Sequence, residues 1–125
     1  MSCLFVALSH YHPGINAAQM RQKIVDCLES NPTLSIGSVS DIVQITEKVP
    51  LNVYVSRMRN QSTWGGAIEI AAYVALFNRN VNVRVVSTGK IIQFVKENSS
   101  TASAAPEDIT AIYWTGGHYE PDRAR

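Results

Sequence analysis

The chain has 125 residues, enough for a single domain over 1–125 with one core and no linker. Apolar residues make up 46% and charged residues 17%, with 11 Lys+Arg against 10 Asp+Glu. That balance excludes a disordered chain and offers no basic surface for nucleic acid or a membrane. The longest apolar run, Ile70 to Phe77, falls far short of the roughly 20 residues a spanning helix needs. The run Cys3 to Leu8 is too short for a secretory core, so a soluble cytoplasmic chain is expected, with Cys3 and Cys27 as reduced thiols.

In chain order, Leu4, Phe5, Leu8 and Tyr11 have helical spacing, which Pro13-Gly14 breaks. Asn16, with Gln19 three residues on, predicts a capping box for a helix whose stripe is Ala17, Met20, Ile24, Cys27 and Leu28, ended by Asn31-Pro32. Gly37 to Lys48 is ambiguous, with Ser38 or Ser40 able to cap a short helix. Pro50 suits a first helical turn before Leu51, Tyr54, Val55 and Met58. Trp64-Gly65-Gly66 reads as a tight turn into Ala67 to Phe77, an almost wholly apolar helix expected at the centre of the core. Its one charge, Glu69, stands where the helix dipole favours a carboxylate. The period then becomes two: Val81, Val83 and Val85 mark a strand, Thr88-Gly89 a turn, and Ile91 to Val95 its hairpin partner. Lys96 to Glu107 reads as an exposed polar loop and Ile109 to Trp114 as a further strand. The fold class is α+β, with a small, mainly antiparallel sheet packed between helices.

Two positions carry candidate chemistry. Cys3 heads a predicted helix, where outward N–H groups favour a nucleophilic thiolate; a small buried hydrophobe is the plainer reading. Cys27 lies on an apolar stripe and reads as structural. His118 follows Gly116-Gly117 at a strand end, and Glu120, two residues on, shares its strand face and can hold its ring. An exposed histidine near the C-terminus is the plainer alternative. His10 and His12 read as surface residues. Trp64 and Trp114 fit either core packing or the wall of a groove. No paired Cys/His spacing suggests a metal, and no phosphate loop or dinucleotide fingerprint suggests a cofactor.

Taken together, these pieces resemble the ovarian-tumour (OTU) domain cysteine proteases. Ser2-Cys3-Leu4-Phe5-Val6-Ala7-Leu8-Ser9 is similar to that family's nucleophile helix, usually Asp-Gly-x-Cys-Leu-Phe/Tyr-Arg-Ala. Met20-Arg21 resembles its arginine-bearing second helix. Trp64-Gly65-Gly66 with Glu69-Ile70-Ala71-Ala72 resembles its Trp-Gly-Gly segment and acidic-aliphatic helix, and Gly117-His118-Tyr119 its histidine motif. The resemblance implies a papain-like OTU fold and a thiol protease that removes ubiquitin or a ubiquitin-like modifier from proteins, without metal or cofactor. Cys3 would be the nucleophile, His118 the base, and Glu120 the group that orients His118. Trp64, Gly65, Gly66, Trp114, Gly116, Gly117 and Tyr119 would bind the substrate along a channel narrow enough to select a Gly-Gly tail.

The sequence departs from that pattern in two places. Val6 stands where many members have Arg, and the Asp-Gly ahead of the cysteine is absent because the chain starts two residues upstream of Cys3. An excised piece, or a minimal enzyme using backbone N–H groups near Cys3 together with Glu120, is the expectation. Short OTU-like domains of viral polyproteins fit this pattern, which would place the chain in a host cytoplasm. The alternatives are a viral polyprotein-processing endopeptidase on the same fold and a catalytically weak pseudoprotease that binds ubiquitin. A balanced surface charge suits a monomer.

Overall fold

Five helices and six strands follow one another along residues 3–31, 33–34, 37–95 and 109–121, which are the residues described by the computed structural model. Helix α1 (Cys3–Ser9) buries Leu4, Phe5, Ala7 and Leu8 and leaves Val6 in solvent. Helix α2 (Ala17–Ser30) opens on the expected capping box. Asn16 Oδ1 accepts from the Gln19 N–H at 2.8 Å, and Gln19 Oε1 accepts from the Asn16 N–H at 2.9 Å. Of the expected stripe Met20, Ile24, Cys27 and Leu28 are buried and Ala17 half-buried, and Arg21 and Val25 are buried beside them. A two-residue antiparallel ribbon, β1 (Thr33–Leu34) with β2 (Gly37–Ser38), leads into α3 (Val39–Glu47). The ambiguous stretch is thus a helix, capped by the Ser38 side chain. Helix α4 (Leu51–Met58) follows Pro50, which is its N-cap, and α5 (Ala67–Phe77) is buried from Ile68 through Val74.

The main sheet contains β3 (Asn80–Val85), β4 (Ile91–Phe94), β5 (Ile109–Trp114) and β6 (Tyr119–Pro121), in the spatial order β4-β3-β5-β6. Two pairings, β3 with β4 and β5 with β6, are antiparallel as expected. The central one is parallel, running from Asn80 opposite Ile109 to Val85 opposite Trp114. A parallel neighbour needs a crossover of about a dozen residues or more, and the stretch from Val85 to Ile109, with β4 inside it, is long enough to supply one. The expected polar loop from Lys96 to Glu107 lies outside the described residues. Val81, Val83 and Ile112 are the sheet's buried contribution to a core to which all five helices add side chains, with α1 and α5 packed on the sheet. Arg84, Tyr113 and Glu120 fall on the opposite face, in one row across three strands.

His10 is exposed, as expected, and His12 is half-buried: its Nε2 lies 2.7 Å from the Tyr73 hydroxyl and its ring centroid 4.2 Å from that of Phe77. The Tyr73 hydroxyl bonds Thr110 Oγ1 at 2.6 Å, and the Arg79 Nε–H donates to the same oxygen at 2.8 Å. The break at Pro13-Gly14, with Gly14 at φ +91°, folds this segment onto α5, and the Tyr11 hydroxyl donates to the Ala111 carbonyl of β5 at 2.6 Å. No helix among the described residues is long and apolar enough to cross a membrane.

Candidate active site

Cys3 is the first residue of α1 and half-buried. Its helix packs along β6 and against α2. Strand β6 begins at Tyr119, whose phenol pKa is pushed up by burial first and then by the charges of Cys3 and Glu69. The fold therefore lays the helix headed by Cys3 along the strand that directly follows His118, a residue 115 positions further along the sequence.

The segment that covers α1 departs from expectation. Trp64-Gly65-Gly66 is not a tight turn: Gly66 is extended at φ −156°, and the turn lies one step earlier, where the Thr63 N–H donates to the Asn60 carbonyl at 3.0 Å. The demand on Gly65 is close approach. A Cβ there would stand 2.9 Å from Leu4 Cδ2 and 3.0 Å from the Phe5 ring, so the backbone lies directly on the nucleophile helix. Arg21 fixes the same region from beneath. Fully buried, it donates to the carbonyls of Met58 (2.8 Å), Gln61 (3.2 Å) and Thr63 (2.8 Å), and its guanidinium lies 4.2 Å from the Phe5 ring centroid. One cation thus ties α1, α2 and the turn before Trp64 together.

Glu69 completes this platform. Its Oε1 accepts from the Gly66 N–H at 2.7 Å, closing the first turn of α5, and its Oε2 accepts from the Tyr54 hydroxyl of α4. Burial pushes the Glu69 carboxyl up to about 7 against the pull of those hydrogen bonds. Burial and the Glu69 charge both push the Tyr54 phenol up. A groove of about 480 Å³ opens over the platform, lined by Trp64, Gly65, Gly66, Ile42, Tyr54 and Phe94 among others.

On the other side of α1, Gly116 at φ +109° makes the turn between β5 and β6, closed by the Thr115 N–H donating to the His118 carbonyl at 3.0 Å. Gly117 has neither a positive φ nor a neighbour that a Cβ would strike, so nothing in the structure explains the second glycine. His118 is exposed immediately before β6. Trp114 and Tyr119 face one another across the β5–β6 pair with ring centroids 6.5 Å apart. Glu120 accepts from the Tyr113 hydroxyl at 3.0 Å.

The structure gathers the site residues into two groups on either side of α1. Trp64, Gly65 and Gly66 line the groove; Trp114, Gly116, Gly117, His118, Tyr119 and Glu120 form the β5–β6 end, along which α1 packs. No hydrogen bond links Cys3, His118 and Glu120 among the described residues, and such bonds commonly tighten only around substrate. Sequence reasoning missed the hydrogen-bonding roles of the buried Arg21 and Tyr54 and of the half-buried Tyr113. For Arg21 a signal existed: it shares the 3.6-residue stripe with Ala17, Ile24 and Leu28.

Residues 2–119 match the family described as OTU-like cysteine protease. The chain belongs to that family. Among curated proteins, this OTU-like chain is 30% identical to the ubiquitin thioesterase otu2 of Schizosaccharomyces pombe over 128 residues, covering 94% of the chain and 41% of that protein. Its fold matches an OTU domain solved in complex with ubiquitin (TM-score 0.70, 22% identity, 96% of this chain and 62% of that one). It also matches an OTU deubiquitinase from Wolbachia pipientis wMel (TM-score 0.73, 16% identity, 96% and 80%). The OTU-like chain thus spans less than half the length of its curated relative, and less than two thirds of the ubiquitin-bound domain.

Proposed function

We propose that the chain is a thiol-dependent isopeptidase that removes ubiquitin or a ubiquitin-like modifier from proteins. The observation that carries this reading is the packing of α1, headed by Cys3, along β6, which directly follows His118, in a chain of the OTU-like cysteine protease family. The modifier is supported by the name of the fission-yeast relative and by the ubiquitin-bound fold neighbour.

In this reading Cys3 Sγ attacks the carbonyl carbon of the modifier's C-terminal glycine. His118 takes the thiol proton and passes it to the departing amine, leaving a thioester on Cys3. A water, deprotonated by His118, then attacks the thioester and releases the free carboxylate. Glu120 orients the His118 ring. Trp64, Gly65 and Gly66 on one side and Trp114, Gly116, Gly117 and Tyr119 on the other flank the tail, and a channel this close to backbone rejects side chains larger than glycine by clash. The free thiols Cys3 and Cys27 suit a reducing compartment, and the proposal places the reaction in the cytoplasm.

The test is turnover of a fluorogenic ubiquitin C-terminal amide. Wild type should cleave it, Cys3→Ala should not, and His118→Ala should lose more than about 10³-fold in kcat. Turnover that survives Cys3→Ala would contradict the proposal. Tight ubiquitin binding by a wild type that never cleaves would replace it with the non-cleaving pseudoprotease.

A further inference from the structure

The sheet face turned away from the core carries a row of three side chains: Arg84 on β3, Tyr113 opposite it on β5, and Glu120 opposite that on β6. The Arg84 guanidinium lies 5.3 Å from the Tyr113 ring centroid, and the Tyr113 hydroxyl donates to Glu120 Oε2 at 3.0 Å. We propose that Tyr113 is a positioning residue for the reaction, holding the Glu120 carboxylate by one oxygen so that the other can meet the imidazole of His118. The proposal rests on the protease reading above.

Three observations converge on it. Directly opposed residues of an antiparallel pair have their Cβ atoms about 4.5–5.5 Å apart, so a tyrosine opposite a glutamate is placed to cap one carboxylate oxygen with its hydroxyl. Glu120 Oε1 has no hydrogen-bond partner among the described residues, and His118 stands two residues earlier, exposed at the entry to β6. Arg84 over the ring places a cation on the phenol face, which holds the ring in place and favours donation from its hydroxyl. A glutamate has one more rotatable bond than an aspartate. A second anchor is what keeps so long a side chain in one rotamer at the end of a short strand.

Tyr113→Phe removes the hydroxyl alone and leaves the ring under Arg84. Against a fluorogenic ubiquitin amide it should lower kcat by about 3- to 30-fold with KM unchanged, the size of effect expected when a catalytic group is misplaced rather than removed. In a Glu120→Gln background it should cost nothing further, because two members of one relay are not additive. A merely structural tyrosine would instead lower the melting temperature and add its loss to that of Glu120→Gln. The ¹⁵N signals of the His118 ring, read in the free 125-residue chain, test the relay without turnover. Tyr113→Phe and Glu120→Gln should each move them in the same direction, towards a mixed tautomer population. A rise in kcat, full additivity with Glu120→Gln, or ring signals unmoved by Tyr113→Phe would overturn the proposal. Ring signals that move as expected in a chain without ubiquitin-cleaving activity would leave the relay standing and overturn the protease reading alone.

Discussion

Arg21 shows how much a single residue holds in this fold. Its guanidinium satisfies three backbone carbonyls of the Met58–Thr63 segment and lies against Phe5 of the nucleophile helix, with no exposure to solvent. Replacing it with methionine keeps the volume but strands those carbonyls, so Arg21→Met should destabilise the chain by about 3–5 kcal/mol in urea unfolding. Arg21→Lys should recover only part of that loss, since one ammonium cannot reproduce the planar fork. A Lys variant as stable as wild type would show that charge alone suffices. The sequence placed Arg21 on the apolar stripe of α2, a legible sign of a buried cation, but its carbonyl partners come from a turn some 40 residues away. Glu69 was legible in the same partial way. Its place in the first turn of α5 follows from the helix pattern, whereas its burial depends on Tyr54 and the Trp64–Gly66 segment closing over it.

At the level of elements, local pattern reached the helices more fully than the sheet. The capping box at Asn16, the Ser38 cap, and the buried run of α5 follow from periodicity and capping chemistry within one stretch of chain. The parallel pairing of β3 with β5 and the two-residue ribbon β1–β2 do not, because register between distant segments leaves no periodic trace and two residues show no period. The Trp64-Gly65-Gly66 segment shows the same limit at the site. Two adjacent glycines suggest a turn, but Gly65 answers a tertiary demand, the approach of backbone to Leu4 and Phe5. A Gly65→Ala variant should therefore displace α1, costing about 1–3 kcal/mol in stability and lowering kcat with it. Gly66→Ala meets open space at an extended φ and should leave stability nearly unchanged, as thermal melts of the two variants would show. Equal losses at the two positions would mean that the segment needs glycine for conformation rather than contact.

For the whole molecule, two titrating groups, the buried Glu69 and the half-buried His12, give stability opposite slopes with pH. Burial raises Glu69 from 4.5 to about 7, so its contribution is complete below about 4.5 and is lost as pH rises through about 7, to a limit of about 3 kcal/mol. Burial, then the charge of Arg79, lowers His12 from 6.5, so its contribution is complete above 6.5 and is lost as pH falls below that value. Stability should accordingly peak on the mildly acid side of neutrality. Urea midpoints from pH 5 to 8.5 should show the optimum moving to higher pH in Glu69→Gln and to lower pH in His12→Gln; curves parallel to wild type would refute both assignments. These effects concern the frame, whereas the chemistry rests on the sulfur that the frame presents. The most direct test is to incubate the chain with ubiquitin bearing a C-terminal electrophile and read the intact mass of wild type, Cys3→Ala and Cys27→Ala. Cys27 is buried on α2 with its pKa pushed up by that burial, so the account predicts one ubiquitin adduct on wild type and on Cys27→Ala, and none on Cys3→Ala. An adduct that persists without Cys3, or a wild type that forms none, would contradict it.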